Sequence, residues 1–272
     1  MEQLSALAMP PLVRMLIGAG LGAIIGSYLA TIAIRMPQGQ SANQGRSACD
    51  QCHRPLGPRD LVPVASYVLQ RGRCRHCGAP IDPAHVVVEL AAALIGALIA
   101  WAAPSLAGAA AAVFCLLLLL LAALDWRALW LPSVLVLLLA VTGLAGGGLV
   151  FGVPLKHRLI GGAAGFTALF SIAWAYRRMR GREGMGGGDP KLLGAIGLWT
   201  GWTALPLILL GASLIGLGYA LIARWKQRES ITALTALPFG SFMAVAAIIY
   251  AMLALSGHAA QDAFTLRASL FP

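Results

Sequence analysis

The chain has 272 residues, 59% of them hydrophobic and only 11% charged, and a mean hydropathy of +0.79. These values lie far outside soluble globular norms and exclude an ordinary water-soluble enzyme. Twenty Lys and Arg against ten Asp and Glu give a formal charge of +10, but the basic residues cluster in loops between apolar runs, which reports topology and argues against a nucleic-acid partner.

The opening segment, MEQLSALAMPPLVR, carries one basic residue and leads into an apolar run too long for a signal-peptide core. A retained first helix near residues 12–34 is therefore expected. Gly18, Gly22 and Gly26 recur at every fourth position within it, a spacing that lets helices approach closely. The string GAGLGA at 18–23 formally fits a dinucleotide fingerprint, but it lies inside an apolar span with no strand before it, so the match is rejected.

Residues 35–85 are poor in large hydrophobics and rich in Pro, Gly and Arg. Two Cys-x-x-Cys pairs stand in this segment, Cys49 with Cys52 and Cys74 with Cys77, with 21 residues between them. Such spacing suits tetrahedral Zn²⁺ held by four thiolates, which would stabilise a segment unable to bury a core of its own. The other reading is a pair of disulfides, which a reducing cytoplasm disfavours. His53 and His76 flank the pairs, as replacement ligands or as exposed loop residues.

Further apolar runs lie near 86–103, 106–124, 131–151, 159–176, 192–223 and 239–256. No short alternating segments of the β-barrel kind occur. The 192–223 run is too long for one crossing, and the proline in TALPL suggests two short helices. The expected fold is an all-α polytopic membrane protein of about eight transmembrane helices, with a small zinc-stapled cytoplasmic domain between the first two. The expected division is a first helix at 1–34, a four-cysteine domain at 35–85 and a membrane domain at 86–272. With 35–85 in the cytoplasm, sixteen of the twenty Lys and Arg lie inside, while Arg14, Lys156, Arg158 and Arg267 lie outside. Both chain ends then face out. Cys115, inside the third run, reads as a small apolar residue. Gly143 with Gly147 and Gly161 with Gly165 repeat the close-packing spacing.

This topology places Asp125, in LDWRALWLP, and Asp189, in GMGGGDPKLL, at one membrane face. A carboxylate at the hydrocarbon boundary is costly and reads as functional. Two held close share a proton, one able to accept a proton from water and the other to assist a leaving amine. Taken singly, Asp189 also fits a helix N-cap and Asp125 a partner for Arg127. Glu89, in HVVVELAAAL, is the remaining acid of interest, either orienting an amine or methyl donor or pairing with a nearby Arg.

At these residues a resemblance enters. GMGGGD followed by KLLGAIGLWTGW resembles the Gly-x-Gly-Asp motif of bacterial type IV prepilin peptidases, intramembrane aspartic proteases, and LDWRALWLP resembles their first aspartate motif. GSYLATIAIRMP (26–37), PVASYVLQRGRCRHC (63–77) and LPFGSFMA (237–244) match further blocks, in order, from about residue 18 to 256. The resemblance implies an enzyme of the bacterial inner membrane with its active site facing the cytoplasm. It implies cleavage of the leader of type IV prepilins or type II secretion pseudopilins, then N-methylation with S-adenosylmethionine. It carries Asp125 and Asp189 over as the catalytic pair, and Cys49, Cys52, Cys74 and Cys77 as the metal ligands. Three positions depart from the pattern: Ser133 where a second acid is common, Ala30 where asparagine is usual, and Pro190 where bulkier residues are usual.

A proton-coupled transporter is the rival reading, since paired intramembrane acids also line ion paths. It would want polar groups at mid-depth, and the interiors of these spans are nearly uncharged.

Overall fold

The computed structural model describes residues 9–42, 47–49, 51–182, 184–227 and 237–270. Arg228, one of the sixteen Lys and Arg expected inside, and the stretch up to 236 lie outside the described residues. Among those described the chain is helical, with two isolated β-bridges and no strand. It divides into two compact units, Met1–Trp101 and Ala102–Pro272.

The first unit holds helix α1 (Pro11–Arg35), the short α2 (Ala65–Leu69) and α3 (Pro83–Ala102). The glycine ladder fastens α1 to α3: a Cβ added at Gly18 would collide with the Gly96 carbonyl oxygen, and one at Gly22 with that of Ala92. Both helices are apolar on all sides, so proximity of backbones, not an amphipathic stripe, selects the contact face.

The second unit contains α4 (Leu106–Ala128), α5 (Ser133–Phe151), α6 (Leu155–Arg180), α7 (Asp189–Thr200), α8 (Leu205–Gln227) and α9 (Phe239–Leu270). Its centre is α7, which packs against α5 and α6, while α4 packs on α5 and α9, and α9 on α8. Ten of the twelve residues of α7 are buried, so this short helix, not one of the long ones, is the core. Glycines again set the contacts. A Cβ at Gly161 would stand 2.6 Å from the Gly197 carbonyl oxygen, and one at Gly165 2.8 Å from that of Leu193. Gly143 and Gly146 make a different space, a slot for the Trp199 indole, whose Nε1 donates to the Leu139 carbonyl at 2.7 Å. The Phe114 ring closes that slot at 4.8 Å.

Among the described residues, seven helices are long and apolar enough to cross a membrane: α1, α3, α4, α5, α6, α8 and α9. The long 192–223 run divides into two helices as expected, but at a different residue. The break falls at Gly201, whose φ of 78° only glycine adopts freely, followed by a 3₁₀ turn at Trp202–Ala204. Pro206 is the second residue of α8, where a missing N–H costs nothing. At twelve residues α7 is about 18 Å long, against a hydrocarbon core of about 30 Å. The eighth segment is therefore present as a short helix beside seven full-length ones.

Arg158, counted from the sequence as a loop charge, is instead 6% exposed. Its guanidinium donates to the carbonyls of Val153, Gly143 and Leu144 at 3.1, 2.8 and 3.2 Å. Gly147 and Gly148 of α5 leave room for the guanidinium, which reaches carbonyls within the helix and one just past its end.

Candidate active site

Asp125 lies in the last turn of α4 and Asp189 at the first position of α7, and each is 5% exposed. Beyond Asp125 the helix stops at Leu129, held in the left-handed region at φ 49° with its N–H on the Asp125 carbonyl at 2.8 Å. The turn carries Leu131 to the glycines that neighbour the two acids. A Cβ at Gly188, beside Asp189, would stand 2.7 Å from the Leu131 side chain. One at Gly240 would stand 2.9 Å from Leu131 and 3.0 Å from Asp125 Oδ2. Both glycines are required by closeness, since neither has a positive φ. Gly186 lies against the Asp189 carboxylate, and its backbone N–H hydrogen-bonds to it. The charges of Asp125 and Asp189 interact directly. The structure thus brings together two acids 64 residues apart in sequence.

The helix-cap role suggested for Asp189 does not describe what is found. The residue at the N-cap of α7 is Gly188, with no side-chain cap hydrogen bond, and Asp189 stands inside the helix. Ser241 is a partner of Asp125. Its backbone N–H donates to Asp125 Oδ2 at 2.7 Å, and its Oγ lies 3.0 Å from the same oxygen and 2.9 Å from the Ala122 carbonyl. Ser241 is in the first turn of α9, so the positive dipole end of that helix lies at the carboxylate. Sequence reasoning missed Ser241; the only signal was its place in the LPFGSFMA block.

Lys191, two residues past Asp189, donates from Nζ to Ser133 Oγ at 3.0 Å. Ser133 is the position where the resemblance led one to look for an acid, so the lysine meets a neutral hydroxyl there.

In the first unit the four cysteine sulfurs lie within 4.8 Å of one another, and Cys49 Sγ and Cys77 Sγ are 3.9 Å apart. Ligands about 2.3 Å from a tetrahedral Zn²⁺ stand about 3.8 Å from each other, so the donor set fits that ion. None of the four is in a disulfide. Two copies of one turn build the cluster. His53 N–H donates to the Cys49 carbonyl and Gly78 N–H to that of Cys74, each at 2.9 Å. Cys49 N–H in turn donates to Arg54 and Cys74 N–H to Ala79. Gly78 takes φ 71° and His53, its counterpart, φ 54°. His53 is therefore a backbone position of the turn. The N–H groups of Cys77 and His76, directed at Cys74, draw its thiol down to about 7 from an ordinary 9.0. The Ala79 N–H favours the Cys77 thiolate, yet desolvation and the neighbouring sulfurs outweigh it and push that thiol up to about 11. Crowded thiols of this kind need a cation to ionise together.

Glu89, near the start of α3, is 6% exposed, and its Oε2 accepts the Val64 N–H at 2.7 Å. Val64 sits at φ 60° and ψ −51°, a γ-turn geometry that a β-branched residue strongly avoids. The acid thus holds a strained turn at the membrane end of the cysteine segment. Cys115 is fully buried in α4, as expected of a small apolar residue.

Residues 21–103 match the family model of the bacterial peptidase A24 N-terminal domain, and residues 112–221 that of the type IV leader peptidase family. The two matches fall on the two structural units. A prepilin leader peptidase/N-methyltransferase of Burkholderia pseudomallei is 35% identical over 263 residues, covering 87% of this chain and 84% of that protein. The chain belongs to the type IV leader peptidase family. Other leader peptidases of the same description are similar along most of their length. That of Dickeya chrysanthemi is 36% identical over 83% of this chain and 87% of its own. That of Pseudomonas aeruginosa is 33% identical over 90% and 92%. No solved structure matches. Membership agrees with a multi-pass membrane peptidase and leaves no support for the transporter reading.

Proposed function

We propose that this chain removes the leader peptide of a type IV prepilin or type II secretion pseudopilin, with Asp125 and Asp189 as the catalytic pair, at the cytoplasmic face of the inner membrane. The observation that carries it is the approach of two buried carboxyls, from α4 and α7, with Ser241 of α9 hydrogen-bonded to one of them. Two carboxyls held near each other share one proton between them. The ionised carboxylate takes a proton from water while the water oxygen bonds to the scissile carbonyl carbon. The other carboxyl donates its proton to the leaving nitrogen as the C–N bond breaks, and the pair has exchanged roles. The Ser241 N–H and Oγ fix one carboxylate in place, and Leu131, Gly188 and Gly240 keep the acids close.

The same chain then methylates the new N-terminus, with S-adenosylmethionine supplying the methyl group. The four cysteines hold a structural Zn²⁺, in a domain spanning residues 35–85 that joins the first membrane helix at 1–34 to the peptidase domain at 86–272. Glu89 is the acid assigned to methyl transfer, either orienting the amine or holding the turn that does so.

The test is incubation of purified protein in detergent with a synthetic prepilin and S-adenosylmethionine, read by mass spectrometry. Loss of the leader and gain of a methyl group are scored separately. An intact precursor under conditions where the protein stays folded overturns the proposal.

A further inference from the structure

The second unit contains a trough that the cleavage reading does not use. α7 packs against both α5 and α6, but those two helices scarcely touch each other. Between them lies an open cavity of about 570 Å³, floored by Gly194 and Leu198 of α7 and walled by Ala140 of α5 and Phe166 of α6. Its volume is that of an ordinary small-ligand site. Lys191 and Ser133 belong to the same lining, hydrogen-bonded to each other at one end of it.

The helical period separates this trough from the aspartates. Lys191, Gly194 and Leu198 recur at three- and four-residue steps along one face of α7. Asp189, Leu192, Leu193 and Ile196 make the opposite, buried face. A substrate bond held at Asp189 is therefore on the other side of the helix.

What fills the trough must be apolar along most of its length and carry an anion at one end. The cation there faces a neutral hydroxyl, and none of the described residues lining the trough is acidic. A Lys and a Ser hydroxyl at the membrane boundary suit a phosphodiester, to which Lys gives charge and Ser a donor. Bare Gly and Ala surfaces on the walls leave room for a slender hydrocarbon chain. We propose that this trough is a binding site for one anionic phospholipid, its phosphate on Lys191 and Ser133 and an acyl chain laid between α5 and α6.

Native mass spectrometry of the full chain, released from a mild detergent with phosphatidylglycerol or with phosphatidylcholine added, tests this. The expected result is retention of one phosphatidylglycerol per chain and weak retention of phosphatidylcholine. Inorganic phosphate should not compete, because the acyl chain supplies much of the contact. Lys191→Gln should weaken phosphatidylglycerol retention on the order of fivefold, as loss of one interfacial cation predicts. Ala163→Trp, which fills the trough from an exposed lining position of α6, should abolish it while leaving cleavage of a synthetic prepilin in detergent unchanged. Equal retention of the two lipids, or of phosphatidylglycerol by the original chain and both variants, overturns the site. So does a lipid-free dimer that Ala163→Trp dissociates, which would give the trough to a second copy.

Discussion

The two units solve the same problem, holding ionisable groups together, by opposite means. In the first, four thiols are gathered by two local turns, each closed by hydrogen bonds between residues at most five apart in sequence. Their geometry is written almost entirely within 49–79. In the second, Asp125, Asp189 and Ser241 come from three helices, the first and last of them 116 positions apart in sequence. No local turn assembles them; packing of α4, α7 and α9 does. The thiol cluster should therefore respond to metal and to turn residues, and the acid pair to small changes of helix spacing.

The largest effect expected is that of Asp125→Asn or Asp189→Asn. Loss of general acid–base function costs about 10²–10⁴ in rate, so prepilin cleavage in membranes should fall at least that far while chain levels stay constant. Cleavage at the original rate by either variant would remove the pair from the chemistry. Cys74→Ser comes next: metal content, about one ion per chain for a four-thiolate site, should drop toward zero, and methylation should suffer more than cleavage. Equal loss of both activities would mean that the two units depend on each other for folding. In Gly240→Ala the new Cβ would stand 3.0 Å from Asp125 Oδ2 and push against Leu131. A shift of a few tenths of an ångström at a reacting group should lower kcat by less than the hundredfold that a misplacement of about 1 Å costs, with little change in metal content. Ser241→Ala removes the hydroxyl but keeps the backbone N–H; a hydrogen bond to a charged group predicts a fall of about tenfold in cleavage. Smallest is His53→Gly, which relieves a left-handed non-glycine residue by up to about 1 kcal/mol. It should slow metal loss to a chelator and leave cleavage untouched.

Much of this was legible in the sequence. The cysteine quartet could be read because ligand spacing is local, and the aspartates because each lies in a motif beside an apolar run. The glycine ladders of α1 and α6 were legible for the same reason. Other features were not. A serine at the start of a helix has no periodic signature, so Ser241 gave no sign that it faces an acid 116 residues away. Arg158 looked like a loop charge because it reaches its carbonyl partners only where glycines of a neighbouring helix leave room. The break at Gly201 was hidden by Pro206, the stronger breaker by type, yet proline is harmless at a helix start and glycine is needed where φ turns positive. His53 drew attention as a candidate ligand, whereas its backbone angle is what the turn uses.

The contact between Ser241 and Asp125 also bears on biogenesis. Translation delivers α4 first, α7 later and α9 last of the three. Until that final helix docks, one carboxylate lacks its anchor and the bundle lacks a wall. The hydrogen bonds that hold Asp125 are therefore completed only when the last of these three helices has been threaded.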